Sequence, residues 1–458
     1  MRSPMKDVIV VLPGIMGSAL AKHGKSIWDL TPGAIGRAIF SLGSSIQDLR
    51  LTSDASSGDG VTATRLLPDA HIVPFWSKID GYSALSEFIQ TKFDVTSGEN
   101  FFEFPYDWRL DNSISAARLA STALNWLENW RERHPEARLV LIGHSMGGLV
   151  ARYFLEVLGG WRHARMLITL GTPHRGSVKA LDFLVNGVRK RIGPVTLVEL
   201  TELIRSLPSA YQLLPIYPCV GKDENELESL ERLTAQTLGG LDLSRARAGI
   251  EFHRTIERSV KANSEQQEYA ASPYRLLPVV GTYQPTFQSA LLTDDGVRPI
   301  YSYKGRSMLG GDGTVPRLSA TPIEPSKTKG ETFVACPHAS LQNFDPVRVQ
   351  VRAAMEDVDI SEIRAVGAEA ISLDMQDAFL AGEGFHARAR CESAVDPLRS
   401  VMTNLDTRAE IQREFAAAPN ADGWQELRIP SLPAGAYRIR VEAGDEAEAI
   451  SDLFVVLD

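Results

Sequence analysis

Cysteine is scarce in this sequence: 458 residues contain 3 of them, at Cys219, Cys336 and Cys391. An odd number at wide spacing favours free, buried thiols in a reducing compartment over a disulfide framework. No cysteine and histidine pair has the spacing of a zinc site. The sequence therefore predicts neither a metal site nor a cofactor.

Long apolar runs and basic clusters are also missing. No stretch reaches the roughly 18 apolar residues that a membrane-spanning helix needs, and Pro13-Gly14 interrupts the first apolar segment where a signal peptide would continue. The formal net charge is -9 and no run is rich in Lys or Arg, which argues against nucleic acid as a partner and against a polybasic membrane anchor. We expect a cytoplasmic protein.

A serine framed by glycines stands in the middle of the chain. Leu139 to Ile142 is apolar without alternation, which predicts a buried parallel strand. Gly143-His144-Ser145-Met146-Gly147 follows, and apolar residues then recur at helical spacing until Gly159-Gly160. A serine at a sharp turn between strand and helix is the arrangement of a nucleophile elbow. Ser145 is therefore the predicted nucleophile.

Further strands and helices alternate around this segment. The pattern predicts strands at Val8–Leu12 and Met166–Leu170, and amphipathic helices at Tyr82–Phe93 and at residues 113 to 133, with Asn112 or Ser113 as the N-cap of the second helix. This alternation predicts the α/β class, with a mostly parallel, doubly wound sheet.

A second glycine-rich turn, residues 13 to 18, follows the strand Val8–Leu12. Such a turn can present backbone N–H groups to a developing oxyanion. The predicted donors are the N–H groups of Ile15 and Met146, and the alternative is a tight turn without a catalytic role. We expect substrate contacts from Gly14, Met16, Trp28, His144 and His174.

Three histidines compete for the role of general base. His174 follows the strand Met166–Leu170 and can help to line a pocket. In folds with a nucleophile elbow, however, the catalytic residues follow the chain order serine, acid, histidine, and His174 precedes any plausible acid. His386 shares the polar face of an alternating strand. His338 follows the predicted strand Thr332–Ala335, and it is the predicted base.

The predicted acid is Asp312, which lies between Gly311 and Gly313. Backbone N–H groups of such a turn can hold a carboxylate in one orientation, as a residue that orients a histidine requires. Asp294 and Asp295 are the alternative acids, and an Asx turn without a partner is the alternative reading of Asp312.

An insertion and an extension complete the chain. From Val178 to about Ala271 the alternation lapses, and a largely helical pattern rich in apolar residues predicts a cap over the serine. Its apolar side chains would line an acyl pocket or touch lipid; the alternative is an ordinary helical subdomain. After about residue 360, alternating apolar residues predict a small antiparallel β-sandwich. We therefore divide the chain into a catalytic domain, residues 1–360, and a C-terminal domain, residues 361–458.

Several motifs together resemble the lecithin:cholesterol acyltransferase family, which also contains lysosomal phospholipase A2 and phospholipid:diacylglycerol acyltransferases. The resemblance covers roughly residues 6 to 350 and rests on Val8 to Leu20, Phe104-Pro105-Tyr106-Asp107-Trp108-Arg109, Gly143 to Gly148, Gly171 to Gly176, Gly311 to Val315 and His338. It implies an α/β-hydrolase fold with a cap, and Ser-Asp-His chemistry on lipid acyl esters. The block from Phe104 to Arg109 is its most specific part, because generic hydrolase chemistry does not call for it.

We expect a serine hydrolase that acts on lipid acyl esters, phospholipase-like or lipase-like, through an acyl-enzyme. The alternatives are an acyltransferase that uses the same residues with an alcohol acceptor, and a non-catalytic protein that binds lipid or a partner on this scaffold. The expected partners are the lipid substrate, a membrane surface touched transiently by the cap, and a partner protein, a surface or the chain's own catalytic domain bound by the C-terminal domain. The alternative role of the C-terminal domain is passive stabilisation.

Overall fold

The structure is a computed structural model, and the residues it describes are 2–29, 48–51, 59–68, 70–73, 77–192, 195–232, 238, 240–307, 310–323, 332–357, 370–391, 397–416, 419–429, 431–444 and 447–457. All three cysteines are buried, and none of them forms a disulfide. Among the described helices, none has the length and apolar character needed to cross a membrane.

A central sheet of 6 parallel strands organises the protein. Its strands are β1 (Val8–Leu12), β2 (Phe101–Glu103), β3 (Leu139–His144), β4 (Ala164–Leu170), β5 (Arg275–Thr282) and β6 (Thr332–Ala335). Their spatial order is β6-β5-β4-β3-β1-β2, and every neighbouring pair is parallel. The chain leaves β1 for β2 and then returns to the other side of β1, so the strand order reverses between β1 and β3. Ligand sites of open α/β sheets lie at such a reversal.

The helices alternate with these strands. They are α1 (Ser83–Lys92), α2 (Asn112–Arg131), α3 (Met146–Glu156), α4 (Val178–Val185), α5 (Thr201–Ser206), α6 (Pro208–Tyr211), α7 (Leu243–Ser264), α8 (Gln267–Ala271) and α9 (Asp345–Met355). The N-cap of α2 is Asp111, whose carboxylate accepts from the Ser113 N–H at 2.8 Å. The N-cap predicted at Asn112 or Ser113 is therefore wrong by one or two positions.

The insertion between β4 and β5 forms the predicted cap. It contains α4 to α8 and an antiparallel hairpin of Arg189–Ile192 and Val195–Glu199. Hydrogen bonds fix it to the core: the Ser209 hydroxyl donates to the Trp108 carbonyl at 2.6 Å, and the Asn112 N–H donates to the Gln212 side chain at 2.8 Å. The insertion leaves β4 at the carboxyl edge of the sheet, where Ser145 also lies. The α/β-hydrolase fold with a cap is confirmed.

Residues 371–457, which we call the C-terminal module, form two facing sheets. The strands are β7 (Ile371–Met375), β8 (Ala378–Leu380), β9 (Phe385–Cys391), β10 (Arg399–Asn404), β11 (Glu410–Glu414), β12 (Gln425–Ile429), β13 (Gly435–Glu442) and β14 (Ile450–Leu457). One sheet has the order β7-β9-β12 and the other β8-β14-β13-β10-β11. Phe379 and Phe385 stack between them with ring centroids 3.8 Å apart, so the sheets share one apolar core. The all-β fold predicted for this region is confirmed, while the boundary predicted at residue 360 lies outside the described residues.

Short strands surround the central sheet. They pair as Ser3–Pro4 with Phe93–Asp94; Ser18–Lys22 with Lys25–Trp28 and Val61–Leu66; His71–Val73 with Ser77–Ile79; Ser289–Thr293 with Val220–Gly221 and Gly296–Ile300; and Ser302–Tyr303 with Arg306–Ser307.

Truncation of one buried side chain in a central strand tests the packing of this sheet. Leu141 is 0% exposed in β3, so Leu141→Ala is expected to lower the free energy of unfolding by about 2–5 kcal/mol through lost burial and a residual cavity. Leu158→Ala removes the same atoms from a side chain that is 42% exposed, and a loss below about 0.5 kcal/mol is expected there. Denaturant unfolding measures both, and equal losses would contradict the burial of β3.

Candidate active site

Ser145 lies at a sharp turn between β3 and α3. Its φ is 52°, a left-handed conformation that a non-glycine residue adopts only when the surroundings impose it. Two contacts impose it here. The Ser145 N–H donates to the Leu170 carbonyl at 2.8 Å, and the backbone passes so closely that a Cβ on Gly147 would lie 2.4 Å from the Pro13 carbonyl oxygen. The turn leaves the Ser145 side chain at the carboxyl edge of the sheet.

His338 follows β6 and reaches this serine. Its Nε2 lies 2.9 Å from Ser145 Oγ, and its Nδ1 lies 2.7 Å from an Asp312 carboxylate oxygen. The His338 N–H also donates to the Asp312 carbonyl at 2.8 Å, which fixes the two loops relative to each other. The structure therefore brings Ser145, His338 and Asp312 into one hydrogen-bonded chain.

The Asp312 carboxylate is held on both oxygens. Oδ1 accepts from the Thr314 N–H at 3.0 Å and the Val315 N–H at 2.7 Å, while Oδ2 faces His338. Its side chain is 1% exposed, so these bonds define its orientation without competition from water. The alternative acids, Asp294 and Asp295, lie in an exposed turn between two outer strands, and His386 is exposed on β9.

The two predicted oxyanion donors flank Ser145. Ile15 lines the cavity beside Ser145, and Met146 is the first residue of α3, where N–H groups have no partner within the helix. Across the described part of the chain, no protein acceptor binds the N–H of Ile15 or Met146. Both donors are thus free for a substrate oxygen, and the helix dipole of α3 adds positive potential there.

The block from Phe104 to Arg109 supports the loop that carries Ile15. The Tyr106 hydroxyl donates to the Pro13 carbonyl at 2.8 Å, and the Trp108 indole donates to the Ser18 carbonyl at 3.1 Å. Arg109 is fully buried and binds the Asp107 carboxylate at 2.7 and 2.9 Å, and it also binds Asp59. The block therefore holds both ends of the loop that carries Ile15.

Tyr82 and His144 connect the two sides of the site. The His144 Nε2 lies 3.1 Å from the His338 carbonyl oxygen, which can only accept, so Nε2 carries the hydrogen. Burial and repulsion by His338 lower the pKa of His144 to about 3, although its hydrogen bond to the His338 carbonyl opposes the shift. The neutral ring then accepts at Nδ1 from the Tyr82 hydroxyl at 2.9 Å, and the Tyr82 oxygen accepts from the Gly14 N–H at 2.8 Å.

This chain of hydrogen bonds links the loop of Gly14 to the loop of His338. Tyr82 was not predicted as a site residue, because a tyrosine at the start of an amphipathic helix has no sequence signal that separates it from an ordinary core residue.

A cavity of about 200 Å³ opens at Ser145. Of the residues predicted to bind substrate, Gly14 and His144 line it. Met16 and Trp28 are buried to one side, where the Trp28 indole donates to the Met16 carbonyl at 3.0 Å. His174 lies in a separate small cavity beside His253. No group of His, Cys, Asp and Glu within the described ranges is arranged to hold a metal ion.

The lecithin:cholesterol acyltransferase family model matches residues 71–236. The matched segment spans less than half of the chain and is similar to this family. The matched segment contains Ser145 and the first part of the cap, whereas Asp312 and His338 lie beyond it.

Curated relatives match part of the chain. The human protein named lysosomal phospholipase A and acyltransferase is 32% identical over 124 residues, which are 26% of this chain and 29% of that protein. The chicken phosphatidylcholine-sterol acyltransferase is 33% identical over 116 residues, 24% of this chain and 27% of that protein. The chain thus matches less than a third of the length of these members of the acyltransferase family.

Solved structures of a Bacillus licheniformis lipase, BlEst2, are also similar. Its propeptide form is 11% identical, with coverage of 99% of this chain and 94% of that chain and a TM-score of 0.35. Its mature form is 12% identical, with coverage of 78% of this chain and 94% of that chain and a TM-score of 0.31. Likeness at this level carries no argument about function.

The depressed pKa of His144 predicts a pH dependence of stability. Between its ordinary value of 6.5 and about 3, the unfolded state binds a proton at His144 that the folded state does not bind. Stability therefore falls as the pH falls through this window, by up to about 1.4 kcal/mol per pH unit from this residue. His144→Gln should flatten the slope of unfolding free energy between pH 6.5 and 4.5. The exposed His386→Gln is the matched control, and an equal effect of the two variants would contradict the assignment.

Proposed function

We propose that the protein is a serine hydrolase that cleaves acyl esters of lipids, phospholipase-like or lipase-like, through an acyl-enzyme. The observation that carries the proposal is the hydrogen-bonded chain from Ser145 Oγ to His338 at 2.9 Å and from His338 to Asp312 at 2.7 Å, at the mouth of a partly apolar cavity. Nucleophile, base and orienting acid in this order are the parts of the serine hydrolase mechanism.

Acylation begins with transfer of the Ser145 proton to His338 Nε2. The Ser145 oxygen attacks the ester carbonyl carbon, and the carbonyl oxygen becomes an oxyanion. Asp312 keeps Nδ1–H of His338 directed at its carboxylate and stabilises the imidazolium that forms. His338 then gives its proton to the departing alcohol, so the C–O bond of the ester breaks and the acyl group stays on Ser145.

The oxyanion is stabilised by the N–H groups of Ile15 and Met146. Removal of one such donor typically costs about 2.7–4 kcal/mol of transition-state stabilisation. Gly14 acts indirectly here, because its N–H is engaged by Tyr82 and so fixes the loop that presents Ile15.

Water completes the cycle. His338 removes a proton from a water molecule, which attacks the acyl carbon, and the carboxylic acid leaves as Ser145 regains its proton. An alcohol in place of water gives a new ester, so the same residues support acyl transfer. The names of the relatives, which include both a phospholipase and acyltransferases, support this second candidate.

Lipid as the substrate is supported by the family match and by the apolar side chains of the cap that line the cavity. A non-catalytic binding role is disfavoured, because binding alone does not require a serine, histidine and aspartate in hydrogen-bond contact. Transient membrane contact through the cap, a protein partner for the C-terminal module and a cytoplasmic location stay predictions from the sequence.

Removal of the nucleophile tests the proposal. Ser145→Ala is expected to lower kcat for p-nitrophenyl butanoate by about 10³-fold or more, since no other group can form the acyl-enzyme. Ser121→Ala, at an exposed position of α2, is the matched control and should retain full activity. Turnover by Ser145→Ala at the wild-type rate would refute the proposal.

A fluorophosphonate probe tests the base. Labelling of Ser145 should slow by about 10²-fold or more in His338→Ala, because proton removal by a positioned base contributes about that much. His386→Ala should be labelled at the wild-type rate, and mass spectrometry of the labelled peptide identifies the serine. The reverse pattern would assign the base to His386.

Product analysis separates hydrolysis from transfer. With phosphatidylcholine vesicles and an added long-chain alcohol, we expect lysolipid and free fatty acid in equal amounts by lipid mass spectrometry. A new ester of the alcohol would identify the acyltransferase instead. The Ser145→Ala protein controls for spontaneous hydrolysis.

A further inference from the structure

The cavity at Ser145 has walls from two separate parts of the chain. One wall belongs to the cap and is mostly apolar, with Ala180, Phe183, Leu184, Ile204 and Leu213. The other wall belongs to the C-terminal module, which lies outside the segment matched by the family model. It consists of Leu373, Asp374, Met375, Asp377 and Asp452.

The first attachment of the module runs through Gln284. This side chain is 2% exposed; its Nε2 donates to the Ile371 carbonyl at 3.0 Å, and its Oε1 accepts from the Leu373 N–H at 3.1 Å. The Gln284 backbone in turn pairs with Gly311, at 2.9 and 3.2 Å. The strand β7 is therefore hydrogen-bonded through one residue to the turn that carries Asp312.

The second attachment lies on the other side of the site. Lys78 Nζ binds Asp377 at 2.9 Å and Asp452 at 2.6 Å, and Asp80 pairs with Arg438. Burial alone would lower the pKa of Lys78, but the attraction of the two carboxylates outweighs it and raises the pKa above its usual value.

The Asp80 backbone continues this attachment to the base. The Asp80 N–H donates to the Ala339 carbonyl at 3.0 Å, one residue after His338. The module is thus bonded next to the acid and next to the base, so its cavity wall has a fixed position relative to Ser145.

The chemistry of the two walls decides what each can hold. Asp377 and Asp452 form ion pairs with Lys78, and an acyl chain laid against this charged cluster would remove its remaining water and offer no hydrogen bond in return, which is unfavourable. The same acyl chain laid against Phe183 and Leu213 buries apolar surface of the substrate and of the cap. The polar part of an ester substrate has the opposite preference.

We propose that the C-terminal module forms the leaving-group side of the active site and selects the alcohol or head group of the ester, while the cap holds the acyl chain. This inference rests on the proposed hydrolase function. The substrate class is an acyl ester with a polar, hydrogen-bonding alcohol portion, which lies beside Met375 and the carboxylates of Asp377 and Asp452.

Two substitutions that add bulk to opposite walls test the division. Met375→Trp on the module should lower the ratio of kcat/KM for 4-methylumbelliferyl butanoate to that for ethyl butanoate about 10-fold relative to wild type. For the same variant, the ratio of kcat/KM for p-nitrophenyl dodecanoate to that for p-nitrophenyl butanoate should change less than twofold. Ala180→Phe on the cap should give the converse pattern, with loss of dodecanoate preference.

Further variants guard against misfolding. Met375→Ala should shift the leaving-group ratio in the opposite direction from Met375→Trp. Gln412→Trp adds the same side chain to the exposed strand β11 and should change neither ratio. The proposal is overturned if Met375 substitutions alter acyl-length preference instead, or if they alter neither ratio.

Calorimetric binding of dodecanoic acid to Ser145→Ala protein separates this proposal from the catalytic one. Adding Ala180→Phe should weaken binding about 10-fold, and adding Met375→Trp should change it less than twofold. If these two binding changes are observed but the wild-type protein hydrolyses no ester, only the hydrolase function is refuted. Loss of binding with Met375→Trp, or no binding at all, would refute the division of the cavity.

Discussion

The left-handed turn at Ser145 is the constraint on which the rest of the structure depends. A φ of 52° at a residue with a Cβ is unfavourable by itself, at about 1–3 kcal/mol, so neighbouring elements have to maintain it. The bond from the Ser145 N–H to the Leu170 carbonyl ties the turn to β4, and Gly147 lets β1 approach. The order β4-β3-β1 in the sheet is thus also the order of contacts around the serine.

The same constraint explains why the loops on either side are linked to each other. A nucleophile in a fixed position is useful only if the oxyanion donors and the base are fixed relative to it. Tyr82 and His144 provide this link between the loops of Gly14 and His338, with a neutral ring whose two nitrogens have different partners. A charged His144 would carry a proton at Nδ1 and could not accept from the Tyr82 hydroxyl. The link between the two loops therefore requires the low pKa of His144.

Much of this arrangement could be predicted from the sequence, because the strongest patterns are local. The apolar run before Ser145, the glycines around Asp312 and the histidine after β6 each have a signature within a few residues, and the structure brings those three side chains together. The sequence also predicts substrate contacts from Met16, Trp28 and His174, but none of these residues lines the cavity at Ser145. The Trp28 indole instead donates to the Met16 carbonyl, and His174 lines a separate cavity; no local sequence pattern marks either placement.

The contribution of the C-terminal module could not be predicted, for a physical reason. Gln284, Lys78 and Asp80 are polar residues without periodicity, and their partners lie about 90 to 370 residues further along the chain, so no local pattern marks them. Yet each is buried or nearly so, and a buried polar group has to find a partner. The module supplies these partners: the backbone of β7 for Gln284, two carboxylates for Lys78, and the guanidinium of Arg438 for Asp80. The need to satisfy these groups therefore places the module against the acid and base loops, and the shape of the cavity follows from that placement.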